Sequence, residues 1–257
     1  MGVFSASSTS KVFALGYGIL CYGIFLGTFL YAVGFIANQV VPKSIDSGEV
    51  VSEGEALAAN LALLGLFAVQ HSVMARPGFK RWWTRCVPSH LERSTYVLAS
   101  SIVLLLLFWQ WRPLPGIVWE VRHPIGVAVL WGLCGIGWIM VLISTFLIDH
   151  FDLFGLRQVY LHAKGRPYQP VPFRMSSLYR FVRHPIMLGF LIAFWATPTM
   201  TWGHLLFAVM ITAYILIGIQ LEERDLRSAF GATYDAYRRQ VGMIIPWPGR
   251  SKAASGD

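Results

Sequence analysis

Long stretches of this sequence carry no charged side chain, and they constrain the fold more than any other feature. The uncharged runs are Val12–Ile36, Ala56–Met74, Ser94–Trp111, Pro124–Ile148 and Pro185–Leu221. A helix needs about 20 apolar residues to cross the hydrocarbon of a bilayer. Only 13% of the 257 residues are charged, whereas soluble domains carry about 25%. The sequence therefore predicts an all-α, polytopic transmembrane helical bundle.

The predicted bundle has about six helices and a tail in a single domain. The longest uncharged run is interrupted by Thr197-Pro198-Thr199, and because proline stops a helix, this run is predicted to be a helical hairpin. Its first arm, Ile186–Ala196, is short for a complete crossing. The predicted helices span 12–37, 55–75, 94–112, 124–149, 184–197 and 200–222, followed by a tail at 223–257, all within one domain of residues 1–257.

The net charge of +8 comes from basic residues that cluster in alternate loops, at 76–93, 157–183 and 224–252, whereas the loop 37–55 is net acidic. Cytoplasmic loops of membrane proteins carry an excess of Lys and Arg. We therefore expect both termini and the basic loops on the cytoplasmic side of a bacterial inner membrane, in contact with lipid headgroups rather than nucleic acid. The three cysteines predict neither a disulfide framework nor a metal site.

The first polar cluster, Arg183-His184-Pro185 with Gly189, opens the hairpin. Proline fits the first turn of a helix, where its missing N–H costs nothing. A helix N-terminus is a natural site for a carboxylate, to which Arg183 could add a bidentate clamp. The alternative is an arginine that reaches the lipid headgroups beside a helix-starting proline.

The second cluster, Glu222-Glu223, closes the hairpin. A carboxylate here is expected either to pair with Arg183 across the hairpin or to bind the hydroxyls of a ribose. The alternative is a solvated helix in which Glu223 pairs with Arg227 one turn later.

The third cluster, Tyr234-x-x-Tyr237-Arg238, lies in the tail. The two tyrosines share one face of a predicted amphipathic helix. Their rings could cover a purine or belong to the aromatic belt at the membrane interface.

Together, these three clusters around a hairpin resemble the isoprenylcysteine carboxyl methyltransferase-like membrane enzymes. Further runs resemble the methanethiol S-methyltransferases: Gln70–Arg76, Glu92–Leu98, Phe108–Pro113, Asp149–Gln158 and Phe194–Thr201. The resemblance implies that S-adenosyl-L-methionine is bound by the hairpin and tail, and that the substrate is a small volatile thiol, methanethiol, converted to dimethyl sulfide. The implied cofactor-binding residues are Arg183, His184, Pro185, Gly189, Glu222, Glu223, Tyr234, Tyr237 and Arg238.

A thiol substrate needs a base or a cation to form its thiolate, because its pKa exceeds that of a cysteine, about 8.5. The catalytic candidates are His71, Asp149, His150 and Asp152. We expect His71 and Asp149 to face one cavity, as a histidine oriented by a carboxylate is a plausible general base. The alternatives are an interhelical hydrogen bond for His71 and a structural pair with Arg157 for Asp149.

Asp149 is predicted to end the fourth helix, where the dipole disfavours an acid. Such a placement suggests a role other than stability. Tyr96 and Gln158 are the candidates for lining the substrate site.

Two rival functions remain open at this point. One is a membrane methyltransferase of the same scaffold that acts on a larger lipid or isoprenoid thiol or carboxyl. The other is a non-enzymatic transporter or accessory protein, which would need polar residues at mid-bilayer. The predicted helix centres are almost free of ionisable groups, which favours an enzyme.

Overall fold

The computed structural model describes residues 8–171 and 177–246, and helices dominate both ranges. The helices are α1 (Ser8–Ala37), α2 (Glu53–Ala75), α3 (Pro77–Trp83), α4 (Ser89–Gln110), α5 (Pro124–Ile148), α6 (His150–Leu153), α7 (Leu156–Ala163), α8 (Pro185–Trp195), α9 (Trp202–Phe230) and α10 (Ala232–Gln240). A single 3₁₀ turn, η1 (Ser177–Arg180), and two short strands, β1 (Ile117–Glu120) and β2 (Thr199–Thr201), complete the described elements. The basic residues Arg174, Arg250 and Lys252 lie outside the described residues.

Five of these helices, α1, α2, α4, α5 and α9, are long and apolar enough to cross a membrane. The predicted all-α polytopic membrane fold is therefore confirmed. The first arm of the hairpin, α8, has 11 residues and is about 16 Å long, roughly half the thickness of the hydrocarbon core. The hairpin thus joins one short helix to one long helix.

Several predicted boundaries were wrong, because charged residues extend helices beyond their apolar runs. α1 begins at Ser8, four residues before its predicted start, and α4 begins at Ser89 and holds Glu92 in its first turn. Acidic side chains there are favourable with the helix dipole. α9 continues through Glu222 and Arg227 to Phe230, so the predicted tail starts as a helix. The helix α9 ends at Gly231, whose φ is 51°. Glycine is favoured at positions with positive φ.

The two strands were not predicted. They pair antiparallel, with Trp119 opposite Met200 and Glu120 opposite Thr199. The Thr201 hydroxyl then accepts a hydrogen bond from the His204 amide at 3.1 Å and caps α9, as expected of a threonine at an N-cap. β2 lies in the break between the two helices of the hairpin, and its pairing with β1 fixes the position at which α9 starts.

The described chain forms two compact units. The first contains α1–α4, α6 and α7, and the second contains α5, α8–α10, η1 and both strands. In the first unit α1 packs against α4 and α7, and α2 packs against α4. The buried Asn60 amide of α2 bonds both the carbonyl and the amide of Arg112, at 2.7 and 2.9 Å. This contact ties α2 to the residues that follow α4.

In the second unit α5 packs against α8 through two glycines. A Cβ atom on Gly137 would lie 2.6 Å from the Gly189 carbonyl oxygen, and one on Gly189 would lie 2.7 Å from the Gly137 carbonyl oxygen. The absence of a side chain lets the two backbones approach closely. Gly189 therefore allows close approach of a neighbouring helix, and its place in the cofactor site remains a prediction.

Candidate active site

Arg183 and His184 are positioned by the segment that follows α10 in the second unit. Their backbone amides donate to the carbonyls of Gly242 and Met243 at 2.8 and 3.1 Å. Pro185 then starts α8 at the first helical position, as predicted. The segment after α10 therefore returns to the start of α8, and it places Arg183 beside the last turns of α9.

Glu223 is the centre of a buried charge cluster, which we call the Glu223 cluster (Arg183, His184, Glu223, Arg238). Its Oε1 lies 2.7 Å from both Nε and Nη2 of Arg183 and 3.2 Å from Nε2 of His184. Its Oε2 lies 2.9 Å from Nε of Arg238. Glu223 is only 4% exposed, and a buried charge requires such partners. The expected pairing of Arg183 with a carboxylate across the hairpin is present, and it uses Glu223.

The alternative pairing of Glu223 with Arg227 is wrong. Arg227 instead bonds Asp235 of α10, with Nε 2.9 Å from Oδ1. Glu223 points toward Arg183 and into the unit, whereas Arg227 is on the exposed side of α9. Tertiary structure decides this choice, because α10 brings Arg238 to Glu223 and the segment after α10 positions Arg183 beside it.

Glu222 has a different environment from its neighbour. Its side chain is 47% exposed, and its Oε2 lies 3.5 Å from Nδ1 of His184. The two ring nitrogens of His184 therefore face the two adjacent carboxylates. The exposed carboxylate remains available to a ligand, while Glu223 is committed to the buried cluster.

Tyr234 and Tyr237 were predicted to face a ligand or the membrane interface, and the structure corrects both. They are 1% and 3% exposed and pack together with Val241, partly covered by Leu226. The Tyr237 hydroxyl donates to the Tyr179 carbonyl at 2.6 Å. Burial raises the pKa of Tyr237 to about 12 and also raises the pKa of Tyr234. These rings form the local core under the Glu223 cluster.

Two adjacent polar clefts open beside this cluster. One, of about 360 Å³, is lined by residues of α9 and α10 that include Glu223, Arg227 and Arg238. The other, of about 410 Å³, is lined by Arg183, Arg227, Asp235, Arg238 and Arg239. Small-molecule sites usually have about 300–1,000 Å³. The lining arginines outnumber the acids, so the clefts suit a ligand that carries an anionic group.

In the first unit His71 belongs to a set of polar side chains between α2 and α4, which we call the His71 cluster (Gln70, His71, Tyr96, Ser100). The Tyr96 hydroxyl lies 2.9 Å from Nε2 of His71, and Oγ of Ser100 lies 3.2 Å from Nδ1. The Gln70 amide donates to Oγ of Ser100 at 3.3 Å. Polar groups on apolar helices are expensive and usually functional.

Sequence reasoning missed Ser100. The available signal was its spacing: Ser100 follows Tyr96 by one turn, so both side chains lie on the same face of α4.

Asp149 does not end α5, which corrects the prediction that it opposes a helix dipole. It is the N-cap of α6, and its Oδ1 accepts from the Asp152 amide at 3.0 Å. An aspartate is favourable there. Its Oδ2 lies 3.8 Å from Nε of Arg157, so the structural alternative is present. The expected pair of Asp149 with His71 does not form in the part of the chain that the structure describes.

Asp152 is held by residues that follow it. Arg157 Nη1 donates to its Oδ1 at 3.1 Å, the Gln158 amide donates to the same atom at 3.3 Å, and the Tyr168 hydroxyl donates to Oδ2 at 3.3 Å. The Gln158 amide also donates to the Asp152 carbonyl at 3.1 Å. These contacts bring Asp152 and Gln158 together and hold the loop in one folded conformation.

The side chain of His150 contacts α1 and an aromatic ring of its own loop. Its Nε2 lies 2.8 Å from the Tyr22 hydroxyl of α1, and the ring of Phe154 packs edge-on at 4.9 Å. Burial lowers the pKa of His150, partly offset by the charge of Asp149. The ring is therefore neutral at pH values where an ordinary histidine begins to bind a proton.

The comparisons with known proteins give a consistent result. No family model matches the chain, and no solved structure matches it. It is 58% identical over 234 residues to the methanethiol S-methyltransferase of Mycobacterium tuberculosis, which covers 91% of this chain and 96% of the relative. It is 52% identical over 246 residues to the methanethiol S-methyltransferase of Crocosphaera subtropica, with 96% of each chain covered.

A more distant relative has a different name. The chain is 33% identical over 179 residues to mouse nurim, which covers 66% of this chain and 68% of the relative. The high identity to the bacterial proteins extends over nearly their full length. The chain therefore belongs to the methanethiol S-methyltransferase family.

Proposed function

We propose that this protein transfers a methyl group from S-adenosyl-L-methionine to methanethiol, forming dimethyl sulfide and S-adenosylhomocysteine. The observation that carries the proposal is the 48–58% identity, over at least 91% of this chain, to proteins named methanethiol S-methyltransferase. An enzyme of that name needs a methyl donor. The whole chain, residues 1–257, is expected to act as one catalytic domain.

The residues that line the polar clefts, and Glu222 next to the lining residue Glu223, fit S-adenosylmethionine by their chemistry. The half-exposed Glu222 carboxylate suits the hydroxyls of a ribose, because an ionised carboxylate accepts hydrogen bonds. Arginines of the cleft, among them Arg227 and Arg239, suit the carboxylate of the methionine part. The buried Glu223, Arg183 and His184, with the partly exposed Arg238, would hold the cleft in shape. Pro185 starts α8, and Gly189, Tyr234 and Tyr237 support the cleft by packing.

S-adenosylmethionine, when bound, supplies an electrophilic methyl group on a sulfonium. The protein's own residues must then supply a thiolate. His71 is the proposed base, and Tyr96 and Ser100 are its hydrogen-bond partners. Asp149, His150, Asp152 and Gln158 are proposed to act by holding the 149–158 loop, because their contacts join that loop to itself and to α1.

We place the cofactor clefts and both termini on the cytoplasmic side of a bacterial inner membrane. The support is the charge distribution: the clefts are lined by arginines of the C-terminal basic segment, and basic segments stay in the cytoplasm. A cytosolic cofactor would then reach the clefts without crossing the bilayer.

The test has two stages and uses the full chain in detergent or in nanodiscs. Calorimetric titration with S-adenosylhomocysteine measures cofactor binding, and headspace gas chromatography measures dimethyl sulfide after methanethiol and S-adenosylmethionine are added. We expect saturable binding and product formation in wild type, and binding weakened at least tenfold with a matching fall in product formation in Glu222→Gln. The matched control is Glu55→Gln, which changes an exposed carboxylate at the start of α2.

The two measurements separate the alternatives. No binding of S-adenosylhomocysteine would overturn every methyltransferase function and favour a transport or accessory role. Binding without dimethyl sulfide would overturn methanethiol as the substrate and favour a larger lipid or isoprenoid acceptor.

A further inference from the structure

The hydroxyl of Ser100 has one proton and three neighbours, and this determines how the His71 ring is protonated. Oγ of Ser100 lies 3.0 Å from the Tyr96 carbonyl one turn earlier, a group that can only accept. The Gln70 amide, at 3.3 Å, can only donate. Ser100 therefore gives its proton to the closer carbonyl and accepts from its other neighbours.

His71 is one of those other neighbours, with Nδ1 3.2 Å from Oγ of Ser100. Because the Ser100 oxygen acts there as an acceptor, Nδ1 carries the ring proton. A neutral imidazole has one donor and one acceptor nitrogen, so Nε2 is the basic nitrogen. The Tyr96 hydroxyl lies 2.9 Å from Nε2 and 3.1 Å from Nδ1. Because Nδ1 already carries the ring proton, the hydroxyl donates to Nε2.

A positive charge lies beside the same tyrosine. The guanidinium carbon of Arg93 is 6.0 Å from the centre of the Tyr96 ring. Cations at this distance interact favourably with an aromatic ring, and they stabilise negative charge that develops on its oxygen. Tyr96 is thus placed between a base and a cation, on a largely buried side chain.

We propose that Tyr96 is a catalytic residue that passes the proton of the substrate thiol to Nε2 of His71, and that Ser100 is the positioning residue that keeps Nε2 basic. The inference rests on the proposed function. The S–H bond breaks as its proton moves to the Tyr96 oxygen, while the Tyr96 O–H proton moves to Nε2. The sulfur keeps the electron pair as a thiolate, Tyr96 ends neutral, and His71 becomes an imidazolium that later releases the proton to water.

The relay explains why a tyrosine is used although it is a weak acid. Its hydroxyl gains and loses a proton in one event, so no free tyrosinate has to form. A positioned acid–base group contributes about 10²- to 10⁴-fold to a rate. The thiol of methanethiol, with a pKa above about 8.5, gains most from such assistance near neutral pH.

The first experiment compares Tyr96→Phe with Tyr160→Phe, whose hydroxyl belongs to a half-exposed side chain of α7. We expect Tyr96→Phe to lower kcat for methanethiol about 100-fold, with little change in KM and unchanged binding of S-adenosylhomocysteine. The residual rate of Tyr96→Phe should rise tenfold per pH unit up to the pKa of the thiol. The reason is that the fraction of methanethiol already present as thiolate rises tenfold per unit, and this thiolate does not need the relay. Tyr160→Phe should behave as wild type. A normal kcat in Tyr96→Phe would overturn the relay.

The second experiment does not depend on activity. Nitrogen NMR of protein with labelled histidine, with His71→Gln to identify the signal, reports which ring nitrogen carries the proton. We expect the Nδ1–H form in wild type and in Ser100→Thr, and a mixture in Ser100→Ala with a lower kcat. A wild-type Nε2–H form would overturn the assignment even if Tyr96→Phe failed to fold. If the wild-type protein did not bind S-adenosylhomocysteine, the proposed function itself would be contradicted.

Discussion

Arg183 and Glu223 form a buried ion pair in which two nitrogens of the guanidinium share one carboxylate oxygen. Both Nε and Nη2 lie 2.7 Å from Oε1, and the two side chains are 9% and 5% exposed. A third nitrogen, Nη1, donates to the Val241 carbonyl at 2.6 Å. One arginine therefore joins the start of α8, the end of α9 and the segment after α10.

Removing Arg183 should destabilise the protein before it affects chemistry. In Arg183→Ala the Glu223 carboxylate loses its main partner, and breaking a buried pair costs about 3–5 kcal/mol. Thermal unfolding followed by tryptophan fluorescence, together with limited proteolysis after α10, measures the loss.

The control for Arg183 is Arg227→Ala. Arg227 pairs with Asp235, but the two side chains are 55% and 35% exposed, and exposed pairs contribute about 1 kcal/mol or less. Equal unfolding temperatures for the two variants would contradict the buried role of Arg183.

Glu222→Gln is expected to weaken S-adenosylhomocysteine binding at least tenfold without lowering the unfolding temperature. The reason is its exposure: it contacts His184 at 3.5 Å but is 47% exposed, so removing its charge leaves no buried group unpaired. Calorimetry and thermal unfolding are measured on the same preparation. Tight binding in this variant would remove Glu222 from the cofactor site.

Gly155→Ala should destabilise the 149–158 loop. Gly155 has a φ of 88°, and a Cβ there would lie 2.6 Å from the amide nitrogen and 2.6 Å from Oγ of Ser94. Ser94 also donates to the Gly155 carbonyl at 3.2 Å. Backbone strain of this kind costs about 1–3 kcal/mol, and the steric overlap adds to it.

The matched control is Gly132→Ala in the middle of α5, where a Cβ would meet no atom within 4 Å. Alanine is a better helix former than glycine by about 1 kcal/mol, so this variant should be as stable as wild type or more stable. Both changes are compared by thermal unfolding. A stable Gly155→Ala protein would show that the loop is free to move away from Ser94.

Stability should fall on acidification partly through His150. Burial lowers its folded pKa below the ordinary value of 6.5, so the unfolded chain binds the proton first as the pH falls. The unfolding free energy then decreases below about pH 6.5 until the folded ring is also protonated. The unfolding temperature of wild type should drop more between neutral and mildly acidic pH than that of His150→Gln, which retains an acceptor for Tyr22. Equal drops would show that His150 is not the group responsible.

Sequence and tertiary structure decided different properties of this protein. The uncharged runs were sufficient to predict an all-α membrane fold with a short first arm in the hairpin, because crossing hydrocarbon requires apolar length. The pairing of Arg183 with an acid across the hairpin was also predictable, since both lie beside the hairpin ends. The helix ends were less predictable, because charged residues occur both within the last turns of a helix and in the loop that follows it.

The choice between Glu222 and Glu223 required the tertiary structure. Adjacent helical residues point about 100° apart, so the rotation of α9 decides which carboxylate is buried and which is exposed. The same holds for Asp149, which caps α6 only because the chain turns there, and for His71, whose hydroxyl partners come from another helix. Local sequence determines which side chains are present, but only packing determines which of them meet.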